Sequence, residues 1–338
     1  MEQQQKTPAY LQRVNFSSPE DILQQTLGEK FGARYEEYRK DYYLSLEAHE
    51  HGISPDFAHT LTVELVNRCN LTCQMCYVAN HTFAKATLEL DAIKRLIDEI
   101  VKHGKTGLLL GVGSEGLLYK DIRKVIEYAR TAGVMDILLM TNGTLLSKDL
   151  SEFLVEQMVS RVCISIDAAS PETYQKIRGK DELDRLEKNI LDLVAAKKEL
   201  GSSLPVIRLS FCVQNDNKHE QAAFHEKWEG IVDYLDYQNL ADQSYVGREE
   251  EAPNLIPPAN GDKAFCSKPF GYLTVWSNGD ITPCCTFYGK SLVFGNIAED
   301  SLADVYDGKE MADLRQEFMT GDNLNKVCEV CLASQPGE

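Results

Sequence analysis

The sequence lacks the features of a secreted or membrane-bound protein. Its 338 residues contain no uninterrupted apolar stretch as long as a membrane span, and its beginning, MEQQQKTPAYLQRVNF, has no continuous apolar run of the kind found in signal peptides. Positive charge is scarce, because 35 Lys and Arg stand against 52 Asp and Glu, a net charge of −17. That balance argues against nucleic acid or an anionic membrane as a partner. We therefore expect a cytoplasmic protein that binds no nucleic acid and no membrane.

Short apolar runs alternate with amphipathic segments from residue 61 onward. The amphipathic segments, such as LELDAIKRLIDEIVKHG, carry apolar residues at three- and four-residue spacing and end in glycine, which predicts helices. The apolar runs predict six strands, at residues 61–66, 107–112, 136–140, 161–167, 206–213 and 232–238. Strands that alternate with helices form a parallel sheet through right-handed crossovers. The sequence thus predicts an α/β domain.

The chain is predicted to divide into four parts. Ser18 followed by Pro19 is typical of a helix start, and the segment after it is charged and rich in aromatic residues. A stretch rich in Pro, Asn and charge separates the α/β region from a cysteine-rich end, in which YLTVWSNGDITPCC predicts a β-hairpin. The predicted parts are N-terminal helices at 1–55, the α/β domain at 56–240, a linker at 241–262 and a small domain at 263–338.

Ten cysteines are many for a cytoplasmic chain of this length, and most of them are clustered. In a reducing compartment they should be thiols and not disulfides, so the clusters indicate metal ligands. The first cluster, Cys69, Cys73 and Cys76, has C-x3-C-x2-C spacing and follows the first strand, at the end of a parallel sheet where catalytic groups lie. Structural zinc takes four protein ligands, and the nearest unused thiol, Cys163, lies within a strand. A [4Fe–4S] cluster held by three thiolates keeps one iron open, and a zinc knuckle is the alternative.

This pattern resembles the radical S-adenosylmethionine (SAM) superfamily over about residues 55–240. The resemblance implies a partial (β/α)6 TIM-like barrel in which Cys69, Cys73 and Cys76 hold a SAM-binding [4Fe–4S] cluster. It also implies that the open iron binds the amino and carboxyl groups of SAM, and that an electron from the cluster splits SAM to give a 5′-deoxyadenosyl radical.

The segment Gly113-Ser114-Glu115-Gly116 resembles the G-G-E-P motif of that family, with two departures, Ser114 and Gly116. The same segment completes a G-x-G-x-x-G match, but the next strand ends in LLMTNG and lacks the acidic residue of a dinucleotide site. For Arg178 a surface position is the alternative to pairing with the SAM carboxylate. The residues that we predict to lie at SAM are Met75, Gly113, Ser114, Glu115, Asn142, Ser165, Asp167, Arg178 and Gln214.

The C-terminal cysteines resemble the SPASM/twitch extension of radical SAM enzymes, which carries auxiliary iron–sulfur clusters. Four ligands support one auxiliary [4Fe–4S] cluster, as in the shorter twitch form, and Cys285 is then surplus unless it replaces its neighbour Cys284. A zinc ribbon is the alternative on ligand chemistry alone. The predicted ligands of this second cluster are Cys266, Cys284, Cys328 and Cys331.

The fifth strand points to the reaction. In VIRLSFCVQND, residues 208, 210, 212 and 214 alternate onto one face and residues 207, 209, 211 and 213 onto the other, so Cys212 should face the barrel interior. No cluster needs this thiol, and the segment resembles the proteusin-type peptide epimerase branch, in which a cysteine returns hydrogen to a Cα radical. We predict Cα epimerisation of a ribosomally made peptide, with Cys212 as donor and a flavodoxin- or ferredoxin-type protein as reductant. The alternatives are dehydrogenation of an amino sugar or aminocyclitol, peptide crosslinking, and a Cys212 that only packs in the core.

Overall fold

The computed structural model describes residues 13–48, 53–80, 84–104, 107–252, 265–321 and 324–334. Within these residues one sheet of ten strands runs through the molecule. The strands are β1 (Val14–Asn15), β2 (Thr60–Val63), β3 (Gly107–Leu110), β4 (Ile137–Thr141), β5 (Arg161–Ser165), β6 (Val206–Val213), β7 (Tyr234–Asn239), β8 (Tyr272–Val275), β9 (Asp280–Thr282) and β10 (Gly295–Asn296).

The strands lie in the order β1-β7-β6-β5-β4-β3-β2-β8-β9-β10. Strands β2 to β7 are consecutive in the chain, adjacent in the sheet and parallel to one another. These six strands are the six that the apolar runs predict, and the predicted α/β fold of a partial barrel is confirmed. The short β1 pairs antiparallel with the outer strand β7.

Helices fill the connections between the parallel strands. Two helices precede the barrel, one leads into β8 and three follow β10. The remaining helices lie in the connections between the parallel strands. In the described residues the helices are α1 (Pro19–Phe31), α2 (Ala33–Leu46), α3 (Tyr77–Asn80), α4 (Leu90–His103), α5 (Ile122–Ala132), α6 (Lys148–Glu156), α7 (Pro171–Arg178), α8 (Leu183–Glu199), α9 (Gln221–Trp228), α10 (Lys268–Gly271), α11 (Leu302–Tyr306), α12 (Lys309–Thr320) and α13 (Lys326–Ala333). None of the helices in the described ranges is both long and apolar enough to cross a membrane.

Strand alternation separates a packed face from an inner face. On β6, Ile207, Leu209 and Phe211 are at most 1% exposed, and the Phe211 ring lies 4.9 Å from the Phe224 ring of α9. This contact identifies the face that packs against the helices, so the alternate residues of β6 point into the barrel. The inward direction predicted for Cys212 follows from this packing.

The cysteine-rich end continues the barrel sheet. The predicted hairpin forms from β8 and β9, which pair antiparallel. Its first strand also pairs in parallel with β2, from Thr60 opposite Tyr272 to Val63 opposite Val275. The sequence did not indicate this pairing, because the remaining strands of the barrel lie between β2 and β8 along the chain. It places the second cysteine cluster beside the first barrel strand.

Candidate active site

The carboxyl ends of the parallel strands surround a cavity of about 730 Å³. In parallel α/β folds this end of the sheet carries the catalytic groups, because the loops after the strands meet there. The predicted site residues that line the cavity are Cys69, Cys73, Met75, Cys76, Gly113, Ser114, Glu115, Asn142, Ser165, Asp167, Arg178 and Cys212. The structure therefore brings the three-cysteine loop, the residues predicted at SAM and the spare thiol to one space.

Gln214 is described by the structure but does not line this cavity. Strand β6 ends at Val213, so the alternation that predicts an inward Gln214 stops one residue earlier. Its Oε1 accepts a hydrogen bond of 3.2 Å from Gln74 Nε2, on the loop between Cys73 and Cys76. Gln214 thus supports the cysteine loop from outside the cavity.

The three-cysteine loop is held by the end of α7. Thr72 N donates to Arg178 O at 3.2 Å, and Gln74 N donates to Ile177 O at 2.9 Å. Gly179, at φ 78°, packs so closely that a Cβ there would lie 2.1 Å from Thr72 Oγ1. The sequence needs glycine at this position because both the backbone conformation and the close approach exclude a side chain.

The donor set of this loop suits an iron–sulfur cluster. The side chains of Cys69, Cys73 and Cys76 border one cavity, and in a [4Fe–4S] cluster each thiolate binds a different iron. Within the described residues, no three His, Cys, Asp or Glu side chains converge as ligands of a single metal ion. A cluster does not require that convergence, so three separated thiols beside a large cavity fit a cluster with one iron open to a small molecule.

Glu115 fastens the predicted SAM-binding segment to the end of β4. Its Oε1 accepts a hydrogen bond of 2.7 Å from Thr141 Oγ1, and its Oε2 accepts one of 2.7 Å from Asn142 N. The side chain is 1% exposed, and burial raises the pKa of Glu115, an effect that the hydrogen bonds oppose. The family resemblance predicts this segment at SAM, and the structure adds that the Glu115 carboxylate orders the turn that carries Asn142.

Arg178 is buried, so the surface position considered from the sequence is excluded. Its Nη2 lies 2.6 Å from Asp167 Oδ2, and its Nη1 lies 3.6 Å from Cys73 Sγ. Asp167 has a φ of 64°, a left-handed conformation that is uncommon outside glycine. Burial raises the pKa of Asp167, and the adjacent Arg178 opposes that shift. This pair lines the cavity wall, and the guanidinium reaches towards the thiol of the cysteine loop.

Cys212 lies on the same wall as this ion pair. Its backbone N donates to Asp167 Oδ1 at 2.7 Å, and its backbone O accepts from Asn217 Nδ2 at 2.8 Å. These two bonds fix the main chain from which the thiol projects. Burial, and secondly the charge of Asp167, raise the pKa of Cys212 to about 12. The side chain is therefore a protonated thiol at neutral pH.

The predicted ligands of the second cluster border a separate pocket of about 40 Å³. Cys266, Cys284, Cys328 and Cys331 all line it, and Cys285 does not. Burial raises the pKa of Cys284 to about 12. Most of the remaining lining is apolar and includes Leu314 and Phe318. The structure therefore favours Cys284 over Cys285 as the fourth member of a closed four-thiol set.

The far side of the large cavity was missed by sequence reasoning. It is formed by the end of β7 and the residues after it, together with one aromatic residue of the C-terminal region: Gln238, Asn239, Leu240, Ala241, Gln243 and Phe287. The sequence assigned residues 241–262 to a linker because of their composition. The position of the segment after a barrel strand was the available signal, since loops after such strands form the site.

Two family models match the chain in the order that the structure shows. A model described as the radical SAM superfamily matches residues 63–220, and a model described as an iron–sulfur cluster-binding domain, SPASM, matches residues 266–332. The first contains the three-cysteine loop, and the second contains all cysteines of the small pocket. These domains imply SAM and a [4Fe–4S] cluster in the first region and further iron–sulfur binding in the second.

Curated relatives are similar over part of their length. An AdoMet-dependent heme synthase of Methanosarcina barkeri is 38% identical over 117 residues, which is 34% of this chain and 33% of that protein. A probable GTP 3′,8-cyclase of Methanothermobacter thermautotrophicus is 29% identical over 170 residues, 50% of this chain and 52% of that protein. The chain thus spans between a third and about half of the length of these two relatives.

Solved structures share the fold at low identity. SuiB of Streptococcus suis bound to S-adenosylmethionine has a TM-score of 0.56 at 17% identity and covers 82% of this chain and 71% of its own. BtrN in complex with AdoMet and 2-DOIA has a TM-score of 0.54 at 17% identity, and the match covers 82% of this chain and 93% of BtrN. anSMEcpe with bound AdoMet has a TM-score of 0.58 at 15% identity, and the match covers 82% of this chain and 88% of anSMEcpe. At these identities the likeness concerns the fold alone.

Proposed function

Since the chain is a radical SAM enzyme with a C-terminal SPASM domain, we propose that it epimerises Cα centres of a ribosomally made peptide. The observation that carries this proposal is Cys212, a thiol that lines the large cavity and is not among the predicted ligands of either cluster. The S–H bond of a thiol is weaker than most C–H bonds. A thiol in this place can therefore give a hydrogen atom to a carbon radical.

The residues of the cavity divide into those that would hold the cofactors and those that would meet the substrate. Cys69, Cys73 and Cys76 would hold the [4Fe–4S] cluster, while Met75 and the segment at Gly113 would contact SAM. When bound, cluster and SAM together supply a 5′-deoxyadenosyl radical that removes a hydrogen atom from the substrate. Cys212 and the residues after β7 remain for the substrate.

In the proposed step, the S–H bond of Cys212 breaks and a new Cα–H bond forms on the face opposite to the one that lost hydrogen. The configuration at Cα is inverted, and a thiyl radical remains on Cys212. That radical takes up one electron and one proton, the electron coming from a flavodoxin- or ferredoxin-type reductant. The raised pKa of Cys212, about 12, keeps the thiol protonated and its hydrogen available across the neutral range.

The shape of the site supports a peptide substrate. Beyond Met75, Leu240 and Gln243, the large cavity continues into an open groove of about 470 Å³. An open groove accepts a chain that extends past the reacting residue, whereas a small substrate needs an enclosed pocket. The amide side chains of Gln238, Asn239 and Gln243 can pair with the amide groups of a peptide backbone.

The charge of the cavity argues against a nucleotide substrate such as the relatives' name GTP 3′,8-cyclase indicates. Among the described residues that line the cavity, Arg178 alone is basic, and Asp167 neutralises it at 2.6 Å. The described lining of the groove contains no Lys or Arg. Phosphate recognition relies on unpaired basic groups or helix N-termini. The site is therefore suited to a neutral or cationic substrate.

The proposal is tested with reconstituted enzyme, SAM, a reductant and the peptides encoded beside its gene, in D2O. An epimerised residue should carry one deuterium at Cα, because the Cys212 thiol exchanges with solvent. Cys212→Ala should still form 5′-deoxyadenosine, but the epimer should not accumulate. Cys163→Ala is the matched control, since Cys163 is a buried thiol that does not line the cavity, and it should keep epimerising.

A product two mass units lighter, formed equally well by Cys212→Ala, would contradict the proposal. It would establish a dehydrogenase, whose substrate could be an amino sugar or aminocyclitol alcohol. A crosslinked peptide with the same independence from Cys212 would likewise reduce Cys212 to a packing residue.

A further inference from the structure

A short segment of the C-terminal region touches both cysteine sites. Phe287 lines the large cavity, while the next two residues, Tyr288 and Gly289, line the small pocket of four cysteines. Residues Tyr288–Ser291 form one 3₁₀ turn, and Phe287 immediately precedes it. At this point the chain passes directly from the wall of the large cavity to the wall of the small pocket.

The position of the turn depends on a cysteine of the small pocket. A Cβ added to Gly289 would lie 2.4 Å from Cys284 Sγ and 3.0 Å from Cys284 O. The backbone of the turn therefore rests directly on the predicted cluster ligand. A shift of Cys284 towards Gly289 would therefore displace the turn.

Lys290, the next residue of the turn, reaches across to the barrel. Its Nζ lies 3.4 Å from Oε1 of Glu64 and 3.8 Å from the centre of the Trp276 ring. Glu64 follows β2, is 1% exposed and also accepts a hydrogen bond of 2.7 Å from Ser277 Oγ. A carboxylate buried this deeply is costly unless it is paired, so the ammonium and the hydroxyl are needed to hold it in place.

Glu64 in turn supports the predicted SAM-binding segment. Gly113 has a φ of 77°, and a Cβ there would lie 2.5 Å from Glu64 Oε1 and 3.0 Å from Trp276 Cζ3. The oxygen that pairs with Lys290 is thus the same oxygen that the backbone of Gly113 packs against. A continuous chain of contacts runs from Cys284 through Gly289, Lys290 and Glu64 to Gly113.

We propose that Lys290 is a positioning residue that couples the auxiliary cluster site to SAM binding. When the four cysteines hold their cluster, the turn is fixed, Lys290 holds Glu64, and Glu64 holds the backbone that receives SAM. The inference rests on the proposed function only in that Gly113 and its neighbours contact SAM. It does not depend on the substrate or on Cys212.

The test is a double-mutant cycle on the dissociation constant of SAM, measured anaerobically by calorimetry on reconstituted protein. Replacing Cys328 and Cys331 by Ala should weaken SAM binding about tenfold, a typical coupling between two sites. In the Lys290→Met background the same replacement should change the constant by less than about twofold, since the coupling is already lost. Lys290→Arg should retain the coupling.

Two variants keep the test decisive if the cysteine variant folds poorly. Glu64→Gln should weaken SAM binding. The double variant with Glu64→Gln and Lys290→Met should bind SAM no more weakly than the weaker-binding of the two single variants. Lys309→Met, at an exposed lysine paired with Asp313, is the control and should leave both SAM binding and the coupling unchanged.

Equal weakening by the cysteine replacement in both backgrounds, or none in the wild type, would overturn the coupling. Additive effects of Glu64→Gln and Lys290→Met would overturn it as well. A wild type that binds no SAM at all would instead overturn the proposed function.

Discussion

The two cysteine sites differ in the room that they leave beside their thiols. The three-cysteine loop borders about 730 Å³ whose lining combines apolar residues such as Met140 and Leu240 with amide and charged groups, whereas the four C-terminal cysteines border about 40 Å³ with mainly apolar neighbours such as Leu314 and Phe318. Thiols with free space beside them can share their metal with a small molecule that enters and leaves. Four thiols around a small apolar pocket leave no room for such a molecule beside the metal. We therefore expect a cluster with an exchangeable ligand in the first region and a cluster held by protein thiols alone in the second.

The sites also differ in how their residues are held. The wall of the open site depends on the buried pair of Asp167 and Arg178, which reaches both Cys73 and Cys212. The closed site depends on apolar packing of helices α12 and α13 around its cysteines. The open site therefore has a polar wall that an exchangeable ligand can contact, and the closed site does not need one.

The largest expected effect separates the two sites by metal content. After anaerobic reconstitution the wild type should hold about eight irons and eight sulfides, because two [4Fe–4S] clusters contain that number. Replacing Cys69, Cys73 and Cys76 by Ala should halve both figures, and so should replacing Cys328 and Cys331. Colorimetric iron and sulfide analysis measures this. Stoichiometric zinc with little iron would contradict the assignment of iron–sulfur clusters to the two cysteine sites.

The next effect concerns the polar wall of the open site. Arg178→Met should lower the free energy of unfolding by about 3–5 kcal/mol, because it leaves Asp167 buried without its counter-charge. Arg178→Met combined with Asp167→Asn should recover part of the loss, since no lone charge remains. Urea denaturation of the wild type, Arg178→Met, Asp167→Asn and the double variant measures the cycle, and Lys309→Met is the exposed control. A loss within about 0.5 kcal/mol for Arg178→Met, as for ordinary surface changes, would show that the pair is not buried as described.

A smaller effect tests the joint between the two regions, where β8 pairs with β2. His59 precedes β2, is 1% exposed, and packs so closely on Gly271 that a Cβ there would lie 2.1 Å from Nε2. Its ring nitrogens lie 3.0 Å from Ser45 Oγ and 2.8 Å from Thr60 Oγ1. Burial lowers the pKa of His59 from 6.5 to about 3, and the nearby Lys268 adds to that shift.

Because the folded state disfavours protonated His59, the unfolded chain binds more protons below pH 6.5, and stability falls as the pH is lowered. Between pH 6.5 and 5 the free energy of unfolding should fall by about 2 kcal/mol from this group. His59→Gln should remove that part of the pH dependence. His219→Gln, at an exposed histidine, should leave it intact. Urea denaturation at several pH values measures this. The prediction would be wrong if the free energy of unfolding fell equally steeply with decreasing pH in wild type and in His59→Gln.

The sequence was sufficient where the signals are local. The spacing of Cys69, Cys73 and Cys76 lies within one loop, and the alternation along β6 correctly directed Cys212 inward. It was insufficient where the partner is distant. Glu64 was not singled out from the sequence within the strand LTVELV, although a buried carboxylate there needs a partner. Nothing local identifies that partner as Lys290, which is brought there by the pairing of β8 with β2.

The measurement that tests the division between the two sites most directly is the yield of 5′-deoxyadenosine from SAM, at saturating SAM with excess reductant. We predict no 5′-deoxyadenosine from the variant that lacks Cys69, Cys73 and Cys76. The variant that lacks Cys328 and Cys331 should give a near wild-type yield, although it makes no product from substrate. Cleavage that persists without the three-cysteine loop, or that disappears with the C-terminal pair in a folded protein, would contradict this prediction.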